Sequence, residues 1–144
     1  MGFDIYGLSP KYKDKPTIDW TTATDKDKDA YFKAMNKFEE ENPGYYFRNN
    51  VWWWRPLGEL IHDKCGDLLT EQQRISLQYN DGTTYTKKQA IRIAERLSEC
   101  VKNGYVAELE KSIKSIKDNS YPFCKKNVEE FIEFAKHSGG FQIC

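Results

Sequence analysis

The chain has 144 residues, and its 22 Lys and Arg are balanced by 22 Asp and Glu. That length fits one domain, 1–144, and a zero formal net charge lacks the basic surplus of a general nucleic-acid binder, so long nucleic acid is not an expected partner. Hydrophobic residues at 39% and aromatics at 15% suffice for a core, while no apolar run reaches the roughly 18 residues of a membrane span.

The opening MGFDIYGLSP has neither the basic start nor the apolar stretch of a secretory leader, so a cytoplasmic location is expected. Residues 2–8 alternate, with Phe3 and Ile5 on one side, and read as a short strand. Residues 9–22, with Pro10 and Pro16, read as a loop. Thr24 is a natural N-cap, with Asp25 and Asp27 in the first turn of a helix that runs to about Glu41. Its stripe is Tyr31, Phe32, Met35 and Phe38. Glu39, Glu40 and Glu41 sit unfavourably at the negative end of the helix dipole, and Asn42-Pro43-Gly44 stops the helix.

Residues 45–54 are aromatic and β-prone, so they read as extended or as a turn–strand unit. Pro56 suits the first turn of a following helix, whose apolar positions recur to about Leu69. Thr70 caps a short helix to Leu77, and Asn80-Asp81-Gly82 is a turn. Thr86 with Gln89 forms a capping box ahead of the stripe Ala90, Ile91, Ala94, Leu97 and Val101, and Gly104 terminates it. A further helix is expected over Val106–Lys117, then loop or a short strand over 118–124. The last helix is carried by Val128, Phe131, Ile132 and Ala135. Ser138-Gly139-Gly140 ends it, and Phe141–Cys144 is strand-like. The sum is a helix-rich α+β fold of about five helices with a small sheet able to pair the two terminal strands.

Chemistry-bearing motifs are few. Cys65, Cys100, Cys124 and Cys144 contain no closely spaced pair, so no metal is expected, and free, mostly buried thiols are the simplest reading. No cofactor motif is present. His62 and His137 lie in no nucleophile or metalloprotease context. Carboxylates cluster at Glu39–Glu41 and Glu129-Glu130 on faces that read as solvated, and no acid–base role is assigned to them. Lys88, Arg92 and Arg96 form a basic stripe, which also reads as a solvated face. Ser138-Gly139-Gly140 could offer amides to a phosphate, although Gly-Gly after a helix is an ordinary terminator.

The segment Tyr-Tyr-Phe-Arg-Asn-Asn-Val-Trp-Trp-Trp-Arg-Pro at 45–56 asks for more. Three consecutive tryptophans cannot share one core face in a strand or in a helix. Arg48 and Arg55 bracket them, and Asn49 and Asn50 add amides. Aromatic faces stack on bases, an arginine fork pairs with phosphate oxygens, and an amide reads a base edge. Trp, Tyr and Arg are equally the favoured anchors of protein interfaces, and they also serve as plain core.

The opening MGFDIYGL, the block NPGYYFRNNVWWWRPL and the ending NVEEFIEFAKHSGGFQIC together resemble a family of small phage and bacterial proteins, over the whole chain. Gly58 departs from the pattern, in which an aromatic residue follows the Pro-Leu pair. The resemblance implies a phage-type setting, in which small proteins counter host defences. The expectation drawn from it is a non-catalytic sponge for a nucleotide-derived signal, a cyclic oligonucleotide or an ADP-ribose derivative. Arg48 and Arg55 would bind phosphate, Trp52, Trp53 or Trp54 would stack, and Asn49 and Asn50 would read the base or ribose. Tyr6, Tyr45, Phe141 and His62 would complete the walls. The alternative is an interaction module that inhibits a host protein through an exposed tryptophan patch. A hydrolase would need His62 as its base, and a homo-oligomer stays open under each reading.

Overall fold

The computed structural model describes residues 2–10, 12, 14–116 and 122–144. It is an α+β fold in the order β1 (Gly2–Gly7), α1 (Asp25–Glu41), β2 (Tyr46–Asn50), α2 (Val51–Cys65), α3 (Glu71–Ser76), β3 (Thr84–Tyr85), α4 (Lys87–Lys102), α5 (Tyr105–Lys114), α6 (Lys125–His137) and β4 (Phe141–Ile143), with a single 3-10 turn over Gly66–Leu68. The strands form one antiparallel sheet in the order β2-β1-β4-β3. The two terminal strands pair at its centre, Ile5 opposite Ile143 and Gly7 opposite Phe141.

Strand alternation decides which side of the sheet is covered. Phe3, Ile5, Phe47, Tyr85, Phe141 and Ile143 point inward and are buried. Helices α2, α4 and α6 lie over them and complete one contiguous core. The core is aromatic: Phe3 stacks on Trp54 at 5.7 Å, and Tyr85 stacks on Phe141 at 4.7 Å. Phe131 meets Trp54 and Phe47 edge-on. On the opposite side of the sheet Asp4 lies across from Arg48, and Tyr6 across from Tyr46.

The helix starts follow their caps. Thr24, Thr70 and Thr86 each accept the N3 amide, and the N3 side chain returns the bond. The largest departure from the sequence reading is at 51–55. The run Val-Trp-Trp-Trp-Arg is the start of α2 and not a strand, because Asn50 turns the chain: its side-chain Oδ1 accepts the Trp53 amide at 3.1 Å. Pro56 therefore lies inside the helix, beyond the first turn. The helix expected to reach Leu69 ends at Cys65, and β3 adds a strand that was not expected. The stretch from Val106 ends as helix at Lys114; Lys117 and the loop residues 118–121 lie outside the described residues. Residues 122–124 form no strand, although Phe123 is buried.

Helix α1 stands apart. Of its expected apolar stripe only Phe38 is buried. Phe38 is held by rings from two other segments, Tyr45 at 5.1 Å and Tyr12 at 5.4 Å. The rest of α1 extends from that anchor and leaves a gap between itself and α6.

Candidate functional site

The residues of the tryptophan run are dispersed and largely consumed by the fold. Trp54 is fully buried; its indole Nε1 donates to the Leu77 carbonyl at 2.7 Å. Arg55 donates from Nη1 to the Gln78 carbonyl at 3.0 Å and to Gln78 Oε1 at 3.2 Å, and the Gln78 amide returns a bond to the Arg55 carbonyl. The guanidinium also lies 5.8 Å from the Phe3 ring centre. Gly58 makes room for this clamp: a Cβ there would meet Gln78 Nε2 at 2.5 Å.

Asn49 exchanges two amide bonds with Asn127, at 3.0 and 2.9 Å, and so ties β2 to α6. Asn50 is the N-cap of α2. Arg48 crosses the outer side of the sheet with its Nε 3.3 Å from Asp4 Oδ1, the oxygen that also accepts the Tyr46 hydroxyl. Burial and that bond raise the Tyr46 phenol pKa. Tyr6 is exposed beside Tyr46, ring centres 5.1 Å apart. Tyr45 packs between Phe38 and Tyr12 with Lys15 above its ring. His62 is exposed beside Asp63.

Two assignments are corrected. Trp54 and Phe141 cannot face a ligand, because both are fully enclosed among core rings. Trp52 is half exposed and Trp53 partly buried, on other faces of the same turn. The run therefore supplies core residues in Phe47 and Trp54, a cap in Asn50, a strand-to-helix tie in Asn49, and in Arg55 a clamp from α2 to the turn after α3. Among the described residues no buried side-chain nitrogen or oxygen lacks a partner, so nothing buried in the run is left waiting for a ligand.

A broad concavity lies elsewhere, in the gap between α1 and α6. It is a groove of about 720 Å³. Its floor is apolar, made by Phe47, Phe134 and Pro43, and Tyr46 lies at its side. Its rims are acidic: Glu39 and Glu40 on α1, Glu129, Glu130 and Glu133 on α6. Among the described residues Lys126 is the only cation lining it, and it lies 3.8 Å from Glu130. Glu133 is 3.4 Å from His137 Nε2. Among the described residues Glu39, Glu40 and Glu129 have no cation within 4.0 Å. Partial burial pushes the Glu39 carboxyl up from its ordinary pKa.

This arrangement costs the fold something. Glu39, Glu40 and Glu41 occupy the last turn of α1, which holds no basic residue, so their charge opposes the helix dipole. Exposed carboxylates on α6 line the same groove and add a solvent-screened like-charge repulsion. A pocket built this way repels an anionic nucleotide and attracts a cation.

The sequence reading named Glu39, Glu40, Glu129 and Glu130 and took their faces as solvated, and Glu40, Glu129 and Glu130 are exposed; Glu133 was not singled out. The signal that could have singled them out was local: an acidic helix C-terminus with no compensating base. What it could not supply is the partner rim, contributed by a helix some 90 positions further on. Among the described residues no group of three His, Cys, Asp or Glu is placed to hold a metal ion. No protein-family model, curated protein or solved structure matches the chain, so the functional reading rests on this geometry.

Proposed function

We propose that the protein is a non-catalytic docking module whose α1–α6 groove holds a basic, partly apolar segment of a partner protein. The observation that carries the reading is the groove itself: an aromatic floor between two acidic rims, one of them placed against its own helix dipole. An apolar side chain of the partner would rest on Phe47 and Phe134, and flanking Lys or Arg would meet Glu39, Glu40 and Glu129. Charge complementarity of this kind sets specificity and association rate more than raw affinity. On the phage-type resemblance of the chain, a host protein is the natural class of partner. The proposal keeps the interaction-module expectation and moves it from the tryptophan patch to the groove.

The test is a titration with three short synthetic peptides: Lys alternating with Leu, Glu alternating with Leu, and Lys alternating with Ser. The Lys/Leu peptide is expected to bind, to weaken with added salt, and to bind better than the Lys/Ser peptide. The Glu/Leu peptide is expected not to bind. Combining Glu40→Lys with Glu129→Lys should remove binding. Equal binding of the Lys/Leu and Glu/Leu peptides, or undiminished binding by the reversed variant, would overturn the reading.

A further inference from the structure

The sheet order β2-β1-β4-β3 leaves β2 and β3 as its edges. The β3 edge is two residues long, and Gln73 Nε2 donates to its Thr84 carbonyl at 3.1 Å. The β2 edge is five residues long, and Tyr46 and Phe47 of this strand line the groove.

Antiparallel strands turn the backbone groups of alternate residues to the same neighbour. Asp4 and Cys144 exchange both bonds, at 3.1 and 2.8 Å, so Asp4 and, two residues on, Tyr6 face β4. Phe3, Ile5 and Gly7 then face β2, and the Gly7 amide donates to the Tyr45 carbonyl at 3.1 Å. Asn49 and Phe47, in register with Phe3 and Ile5, therefore spend their backbone groups on β1. Tyr46 and Arg48 turn theirs the other way, along the open edge. The Arg48 carbonyl accepts Asn49 Nδ2 at 2.9 Å. Among the described residues the Tyr46 amide, the Tyr46 carbonyl and the Arg48 amide have no protein partner. Two donors and an acceptor thus stand in a row where a further strand would place its own groups.

The charge around this edge selects what can add to it. A second copy of the chain, paired edge to edge, would bring two acidic grooves together. A basic segment is favoured by the same glutamates. Resting on the docking reading, we infer that the partner's segment binds as an added β-strand, its backbone paired with Tyr46 and Arg48 and its side chains alternating between the apolar floor and the outer side of the sheet. Residues opposite each other in an antiparallel pair project on one side. In the antiparallel sense of the rest of this sheet, the residue opposite Phe47 lays an apolar side chain over Phe47 and Phe134. The residue opposite Tyr46, whose backbone makes the bonds, carries the cation. The recognised segment has basic and apolar residues at a period of two.

The experiment uses the Lys/Leu peptide unmodified, with N-methyl groups on every lysine amide, and with N-methyl groups on every leucine amide. An N-methyl group removes the donor and blocks the approach, so the lysine set should weaken binding about tenfold or more and the leucine set should leave it within about twofold. Loss from the leucine set alone would keep the added strand and reverse its direction. A peptide of the same composition with its leucines three and four residues apart, a helical pattern, should bind more weakly than the alternating one. In the free protein the Tyr46 and Arg48 amides should exchange with deuterium faster than those of Phe47 and Asn49, and the alternating peptide should slow them about tenfold or more. Equal weakening by both methylated sets, no weakening by either, unchanged exchange at Tyr46, or tighter binding of the helical pattern would overturn the added strand and leave the docking reading in place. No binding of the unmodified peptide would overturn the docking reading, and this inference with it.

Discussion

The two regions richest in unusual residues behave in opposite ways. At the β2–α2 junction the rare side chains are spent internally: Trp54 packs on Phe3, Arg55 clamps Gln78, Asn49 pairs with Asn127, and Asn50 caps the helix. In the α1–α6 groove the residues are ordinary glutamates, and among the described residues no cation lies within 4.0 Å of Glu39 and Glu40, at the negative end of α1, or of Glu129 on α6. Chemical rarity therefore marks the structural region, and unrelieved cost marks the candidate functional one. A side chain that already has every partner it needs has nothing left to offer a ligand; a charge held against its own dipole does.

The sharpest way to break this contrast is to truncate Trp54. Trp54→Ala removes a fully buried indole and its bond to Leu77, and should cost about 3–5 kcal/mol in denaturant unfolding. Peptide binding at the groove should survive wherever the variant stays folded. Arg55→Ala comes next. It leaves the Gln78 backbone carbonyl and side-chain Oε1 without their guanidinium donor and should cost about 1–3 kcal/mol, measured the same way. A neutral stability effect for either substitution would mean that the junction is free for a ligand after all.

Groove substitutions should show the reverse. Glu40→Lys removes a charge that opposes the α1 dipole, so Tm should rise, by the equivalent of about 0.3–1 kcal/mol, while binding of the Lys/Leu peptide falls. A variant that lost both stability and binding would place Glu40 among structural residues. Glu39→Gln is a smaller probe with a defined pH signature. Burial raises the folded-state pKa of this carboxyl, so the favourable neutral form is fully present below the unfolded pKa and is lost as pH rises through the folded one. The substitution should thus raise Tm at pH 7 and make little difference at pH 3.

The thiols sharpen the comparison without perturbing it. Burial pushes the Cys65 thiol up to about 12, at the end of α2, whereas Cys144 is exposed. A thiol reagent should label Cys144 in the native protein and reach Cys65 only through unfolding. Trp54→Ala should speed Cys65 labelling, and Glu40→Lys should not.

Much of the secondary structure was legible because its causes are local. Thr24, Thr70 and Thr86 announce three helices, and the alternation of Phe3 and Ile5 announces β1. The junction at 50–56 was misread for a local reason too: β-prone aromatics outweighed a single capping residue, Asn50, and Pro56 was taken as a helix start. β3 was invisible because two residues carry no periodicity, and it forms only because β4 is there to pair with it. For the groove, the positions of Glu39, Glu40 and Glu129 were visible as charges, but that they line one cavity was not.

What residues 1–144 determine by themselves are the caps, the stripes and the pairing potential of the two ends, since these depend on neighbours within about one helical turn or one strand. Which tryptophan is enclosed, which arginine is already engaged, and which carboxylates look at each other across Phe47 and Phe134 were decided by the tertiary packing alone. The physical reason is that a side chain's remaining capacity to bind is what is left after distant segments have satisfied it, and those segments are brought together only by burial of the shared core.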